Sequence, residues 1–304
     1  MKNDRGLMEK SKKNQNLMHL LKRVHGMIGH ADLEKHRISQ DHIGALMGSS
    51  RDTVIREFQI GDIEAEWVSM TKTHGHKRVI LYCHGGGYST GSRIYARSVT
   101  TKLAAVSAMD VLSFNYRLAP EYPYPAAMED AVKVWDYLML QGYGARDVVV
   151  AGDSAGGNLA LVLVRRLQQM GRMLPKGLVL LSPWADLTSS GESHTWKREV
   201  DPVVNEAYLR QMVHNYAEGR DLKNPLLSPL FGDFAGFPPT YIQVGENEIL
   251  LSDSIQLHQK LDEARVMTKL DVFDGMWHVF QMMKMRQTTE AMDQIAGFLF
   301  RLFD

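Results

Sequence analysis

The pentapeptide Gly152-Asp153-Ser154-Ala155-Gly156 constrains this chain more than any other stretch, because of what flanks it. Ahead of it, Asp147-Val148-Val149-Val150-Ala151 is β-branched and apolar, the pattern of a strand buried on both faces. Behind it, Gly157 to Leu167 runs without a breaker and reads as a helix. Gly-x-Ser-x-Gly at a strand-to-helix junction predicts a turn so sharp that the serine takes strained backbone angles and its neighbours must be small. Such a turn holds Ser154 Oγ clear of the sheet, close to the positive end of the helix. The same five residues also arise as a glycine turn with an incidental serine, so partners elsewhere must decide.

Composition narrows the field. The 304 residues carry 35 basic and 35 acidic side chains, so no net field favours nucleic acid or an anionic membrane. A single cysteine, Cys83, excludes an internal disulfide and fits a reducing compartment. No apolar run reaches the roughly 18 residues of a membrane span. Lys2, Arg5, Lys10, Lys12 and Lys13 are not followed by an apolar core segment, so the expectation is a cytoplasmic protein without a secretory signal. Monomer and homodimer both stay open.

Along the chain, residues 1–50 are polar with short apolar bursts at helical spacing, which read either as a mobile arm or as a helical cap over a site formed later. Thr53 to Met70 alternates as an antiparallel strand pair would. From residue 78 onward strands and helices alternate: strands at 78–83, 110–116, 147–151, 177–184, 240–245 and 267–273, and helices at about 98–108, 127–140, 157–167, 252–264 and 288–302. Thr288 or Thr289 is the expected cap of the last helix. Residues 186–237 carry weak strand signals, three prolines and one helical stretch, Glu206 to Tyr216, and read as an insertion over the site. The expected fold is α/β, a mostly parallel sheet flanked by helices, with residues 51–304 as one catalytic unit. Ligands in such sheets sit beyond the carboxyl ends of the strands.

Two further loops lie at that edge. His84-Gly85-Gly86-Gly87-Tyr88 follows a strand, and three adjacent glycines are costly unless backbone N–H groups must approach something closely, such as a developing oxyanion. A phosphate loop would need Gly-Lys-Ser/Thr or a spaced glycine fingerprint, and neither is present. After the last strand, Gly275-Met276-Trp277-His278 supplies a base for Ser154, and Glu246, Glu248 and Asp253 offer an acid after the strand before it. His84 is the competing imidazole; its place ahead of the glycines suits bonding to that loop better than proton transfer.

With these segments assembled, the chain resembles the bacterial hormone-sensitive-lipase-like esterases of the α/β-hydrolase superfamily. The resemblance rests on His84-Gly85-Gly86-Gly87, Tyr116-Arg117-Leu118-Ala119-Pro120-Glu121, Gly152-Asp153-Ser154-Ala155-Gly156-Gly157-Asn158 and Ser182-Pro183-Trp184, in order, across residues 78–304. It implies an α/β-hydrolase fold with a helical cap made of residues 1–50 and part of 186–237. It also implies an oxyanion hole of Gly86, Gly87 and Ala155 N–H groups, and acyl transfer to Ser154 with no metal or organic cofactor. The substrate would be a small-molecule ester of short to medium chain; a lactone or amide substrate, or a non-catalytic receptor on the same fold, are the alternatives. Where most relatives have Asp-Pro-Leu, this chain has Glu248-Ile249-Leu250, so Glu248 falls on the acid's position. Asp253, placed in the first turn of the next helix, is expected to complement the dipole instead. Tyr88, Trp184, Met276, Trp277 and Phe280 are the candidate pocket residues, although core packing accounts equally well for most methionines.

Overall fold

A computed structural model describes Met18 and residues 33–47, 50, 52–72 and 74–304 of the chain. Most of the N-terminal segment expected to begin the cap lies outside the described residues. Eight strands form one sheet: β1 (Thr53–Ile60), β2 (Ile63–Met70), β3 (Val79–Cys83), β4 (Asp110–Phe114), β5 (Val148–Asp153), β6 (Gly177–Leu181), β7 (Thr240–Gly245) and β8 (Thr268–Phe273). Their order is β1-β2-β4-β3-β5-β6-β7-β8. The β1–β2 and β2–β4 pairs are antiparallel, and every pair from β4 through β8 is parallel.

The period-2 alternation of β3 divides the core between the two faces. Val79, Leu81 and Cys83 pack on one side with Trp135 of α3 (Ala126–Leu140), Leu159 of α4 (Ala155–Gln169) and Leu257 of α7 (Leu251–Glu263). Ile80 and Tyr82 pack on the other with Val99 and Leu103 of α2 (Arg93–Ser107) and Ile295 and Leu299 of α8 (Arg286–Phe303). Helix α4 is buried around its whole circumference from Ala155 to Val164, which is why its sequence shows no polar stripe until Arg165. Each large apolar side chain buried there contributes about 1.5–3 kcal/mol.

Helix α1 (Leu33–Met47) packs on α2. Gly44 permits the contact, since a Cβ there would lie 2.6 Å from Tyr95 Cα. The residues 186–237 contain α5 (Ser193–Trp196) and α6 (Glu206–Ala217), the latter started by Asn205, whose side chain accepts the Tyr208 N–H.

Two helix starts differ from the sequence expectation. Helix α2 begins at Arg93 rather than near residue 98, because Ser92 Oγ accepts the Ile94 and Tyr95 N–H groups at 3.0 and 3.2 Å. Helix α8 begins at Arg286, so neither threonine caps it; Thr288 Oγ1 donates to the Phe280 carbonyl instead.

Candidate active site

The β5–α4 junction is a forced turn. Ser154 sits at φ 54°, ψ −120°, a conformation an L-residue holds only when its surroundings over-determine it. Those surroundings are backbone: a Cβ on Gly156 would lie 2.1 Å from the Cys83 carbonyl oxygen, and one on Gly152 2.3 Å from the Gly156 oxygen. Ser154 N–H donates to Leu181 O at 2.9 Å, and Ser154 O accepts the Trp184 N–H at 3.0 Å, so the turn is hung on the end of β6.

The glycine loop after β3 lies alongside. Gly86 and Gly87 have φ 111° and 62°, the left-handed region where a side chain would be strained. Among the described residues, the N–H groups of Gly86, Gly87 and Ala155 donate to no carbonyl. Asp153 ties loop to turn: its Oδ1 accepts the Gly85 N–H at 3.0 Å and the Tyr82 hydroxyl at 2.7 Å. Burial raises the Asp153 carboxyl to about 6, against the opposing effect of those donors and of His278. His84 stacks on Tyr116 with ring centroids 4.1 Å apart, and its Nδ1 lies 2.8 Å from Gly85 O. Burial lowers it to about 4, so it stays neutral and braces the loop.

Glu248 and His278 meet beyond the ends of β7 and β8. The Nδ1 of His278 lies 2.8 Å from Glu248 Oε2, in a buried contact. Glu248 Oε1 accepts Ser182 Oγ–H at 2.8 Å and Gly245 N–H at 2.5 Å. Ser182 Oγ in turn accepts the Val279 N–H at 3.2 Å, so one hydroxyl joins the ends of β6, β7 and β8. Burial alone would lower the His278 pKa. The Glu248 hydrogen bond and charge, with the charges of Asp201 and Asp153, outweigh it and hold the imidazole above its ordinary 6.5.

The other two carboxylates considered as the acid are engaged elsewhere. Glu246 Oε2 accepts the Gly275 N–H at 2.9 Å. Asp253 stands in the first turn of α7, as expected, and also reaches across: Oδ2 accepts the Ala185 and Asp186 N–H groups at 2.9 Å, and Oδ1 lies 3.1 Å from His194 Nε2. It fastens the start of the insertion to α7.

All five expected pocket residues are buried. Met276, Trp277 and Phe280 are buried in a cluster with Phe273 and Ala291, where α8 packs behind the His278 turn, and offer no surface to a ligand. Tyr88 is fully buried as well, stacked on Tyr216 at 3.8 Å with its hydroxyl on Asn158 Oδ1. Trp184 is buried and donates Nε1–H to Asp186 O. The side chain that does lie against the glycine loop is Met212 of α6: a Cβ on Gly87 would be 2.5 Å from Met212 Cγ. Helix α1 reaches the same loop through Arg37, which donates to Ser89 O at 2.8 Å and Ala119 O at 2.9 Å and pairs with Glu121 at 2.7 Å. Sequence reasoning missed Met212, Arg37 and Asp201, and read Ser182 only as part of a motif. Among the described residues no group of three or more His, Cys, Asp or Glu is arranged to hold a metal ion, and no helix is long and apolar enough to cross a membrane.

Sheet order and strand-end loops together define an α/β hydrolase. A family model described as alpha/beta hydrolase fold matches residues 80–282. The chain is 37% identical over 249 residues to an acetyl-hydrolase of Streptomyces hygroscopicus, covering 82% of this chain and 83% of that protein. It is 34% identical over 261 residues to an esterase of Acinetobacter venetianus, covering 85% and 86%. A solved hormone-sensitive lipase from a metagenome library superposes with a TM-score of 0.90 at 31% identity, covering 96% of this chain and 98% of that one. The chain thus belongs to the hormone-sensitive-lipase-like esterases of bacteria.

Proposed function

We propose that this protein hydrolyses short- to medium-chain carboxylic esters through an acyl-enzyme on Ser154, with His278 as general base and Glu248 as the orienting acid. The observation that carries the reading is the buried 2.8 Å contact between His278 Nδ1 and Glu248. It leaves Nε2 as the nitrogen free to take a proton. His278 removes the Ser154 proton as Oγ attacks the ester carbonyl, and the imidazolium is held by Glu248. The N–H groups of Gly86, Gly87 and Ala155 receive the oxyanion; collapse expels the alcohol, which takes the proton back from His278. Water, deprotonated by the same base, then releases the carboxylic acid.

Helix α1 and residues 186–237 act as the cap. Arg37 and Met212 support this, since both rest on the glycine loop. A short acyl group is favoured by Met212 lying directly on Gly87, and by relatives named acetyl-hydrolase and, in Pseudomonas putida, ethyl acetate hydrolase. The test is hydrolysis of p-nitrophenyl acetate through laurate by wild type and Ser154→Ala. Turnover on acetate to octanoate that falls about 10⁴-fold or more in Ser154→Ala is expected. Near-wild-type rates in that variant refute the serine mechanism.

A further inference from the structure

A second buried carboxylate stands beside the Glu248–His278 pair, and the mechanism above does not use it. Asp201 belongs to the insertion, between α5 and α6, and is 4% exposed. Its Oδ2 accepts the N–H of Ile249, the residue next to Glu248, at 2.9 Å. Its Oδ1 accepts the Val203 and Val204 N–H groups, both at 2.9 Å. The carboxylate therefore grips the turn carrying Glu248 from one side while Ser182 and Gly245 grip Glu248 itself from the other.

The charges acting on His278 are those of Glu248 from the turn after β7, which touches the ring, Asp201 from the insertion and Asp153 from the end of β5. The groups facing Asp201 are His278 and Glu248. Lys102 of α2, on the element packed against the loop after His278, donates to the Gln281, Met282 and Met283 carbonyls at 2.7, 2.9 and 3.3 Å. We infer that Asp201 is a positioning residue for the acid–base pair: it fixes the Glu248 turn through Ile249 and, through space, favours the imidazolium form of His278 during acyl transfer. This rests on the Ser154–His278–Glu248 reading and extends it to the insertion, which then reaches into the chemistry as well as covering it.

A purely structural role and an electrostatic one separate in the pH profile. Neutralising Asp201 removes a negative charge facing His278, so the imidazole loses its proton at lower pH and is a weaker base. For Asp201→Asn, kcat/KM on p-nitrophenyl butyrate is expected to fall about tenfold on its plateau, with the acid limb moved down by about half a pH unit or more. KM should change little, and Asp201→Glu should restore the limb more than the plateau. A plateau within twofold of wild type, or a lowered plateau with an unmoved acid limb, overturns the inference.

A measurement on the wild-type chain covers the case in which Asp201→Asn fails to fold. Burial, opposed by His278 and the backbone donors, raises Asp201 to about 6. The ¹³C-labelled His278 ring resonance, assigned through His278→Asn, should therefore show a second inflection near that pH as Asp201 titrates. A His278 midpoint at or below 6.5 overturns the coupling, whether the curve shows one inflection or two. Ser154→Ala, assayed alongside, isolates the parent reading: its retained activity would sink the serine mechanism, whereas a dead Ser154→Ala with a wild-type-like Asp201→Asn sinks only the role of Asp201.

Discussion

Replacing Glu248 by glutamine tests the acid with little disturbance to its surroundings. The glutamine oxygen can still accept Ser182 Oγ–H and Gly245 N–H, the two donors on Oε1. What changes is the other atom, which becomes an N–H donor facing His278 Nδ1. The imidazole must then carry its proton on Nε2, the nitrogen that should be accepting from Ser154, and the imidazolium loses its counter-charge. Loss of both functions should cost about 10⁴ in kcat, or about 5 kcal/mol of transition-state stabilisation. Folding should be nearly unaffected. Glu248→Ala provides the contrast: it leaves the Ser182 hydroxyl and the Gly245 N–H buried without an acceptor, at about 1–3 kcal/mol each, so it should lose both stability and activity. The assay is p-nitrophenyl butyrate hydrolysis at pH 8 beside thermal melts of Glu248→Gln, Glu248→Ala and Asp253→Asn. In the last of these the carboxamide oxygen can keep the Ala185 and Asp186 N–H groups, so kcat should stay within about tenfold. If Glu248→Gln keeps more than a tenth of wild-type kcat while Asp253→Asn collapses, Glu248 is not the acid.

Three further outcomes are expected. Because its carboxylate neighbours outweigh burial and raise His278 above 6.5, kcat/KM should climb with pH through a midpoint above that value, and a rate flat from about pH 5 to 8 would contradict a histidine base. Arg37→Ala removes the charged bonds from α1 to Ser89, Ala119 and Glu121, so KM should rise more than kcat falls and the melting temperature should drop; unchanged kinetics and melting would deny α1 a part in the cap. For Asp153 the folded pKa of about 6 lies above the ordinary 3.8, so its folding penalty is absent below the lower value and complete above the higher. Asp153→Asn should therefore gain up to about 3 kcal/mol of stability at pH 8 and about half that at pH 5, read by urea midpoints; an equal gain at both would refute the assigned titration.

What was legible in the sequence is what local pattern encodes. Strands β3, β5 and β6 are covered on both faces, so they read as unbroken apolar runs, and the glycines flanking Ser154 announce a turn that tolerates nothing larger. Helix starts were less legible where a cap competes with periodicity: Ser92 begins α2 well before its apolar face becomes regular, and α8 starts at Arg286 with no side-chain cap at all. Asp201, Met212 and Arg37 stayed hidden because each acts across a long loop. Ile249 lies 48 residues from Asp201, and Ser89 52 residues from Arg37. Nothing in their neighbourhood in sequence marks them. The burial of the expected pocket residues was missed for the opposite reason. Met276, Trp277 and Phe280 are close to His278 in sequence, but that turn needs a floor, and large side chains beneath it supply one against Ala291 of α8.

The floor and the carboxylates address one physical problem. In the proposed mechanism the base must be neutral before attack and charged at the tetrahedral stage, and burial alone would make the charged stage too costly. Three carboxylates from three separate segments, at the end of β5, the end of β7 and the insertion, favour the charged imidazole, and Glu248 touches it. Each is held by backbone N–H groups: Gly85 for Asp153, Gly245 for Glu248, and Ile249, Val203 and Val204 for Asp201. Such groups have no rotamer freedom, so the field is in place before the proton moves and little reorganisation is required when it does. Ser182 adds to this arrangement, since its single hydroxyl joins the Glu248 carboxylate to the backbone of the His278 turn.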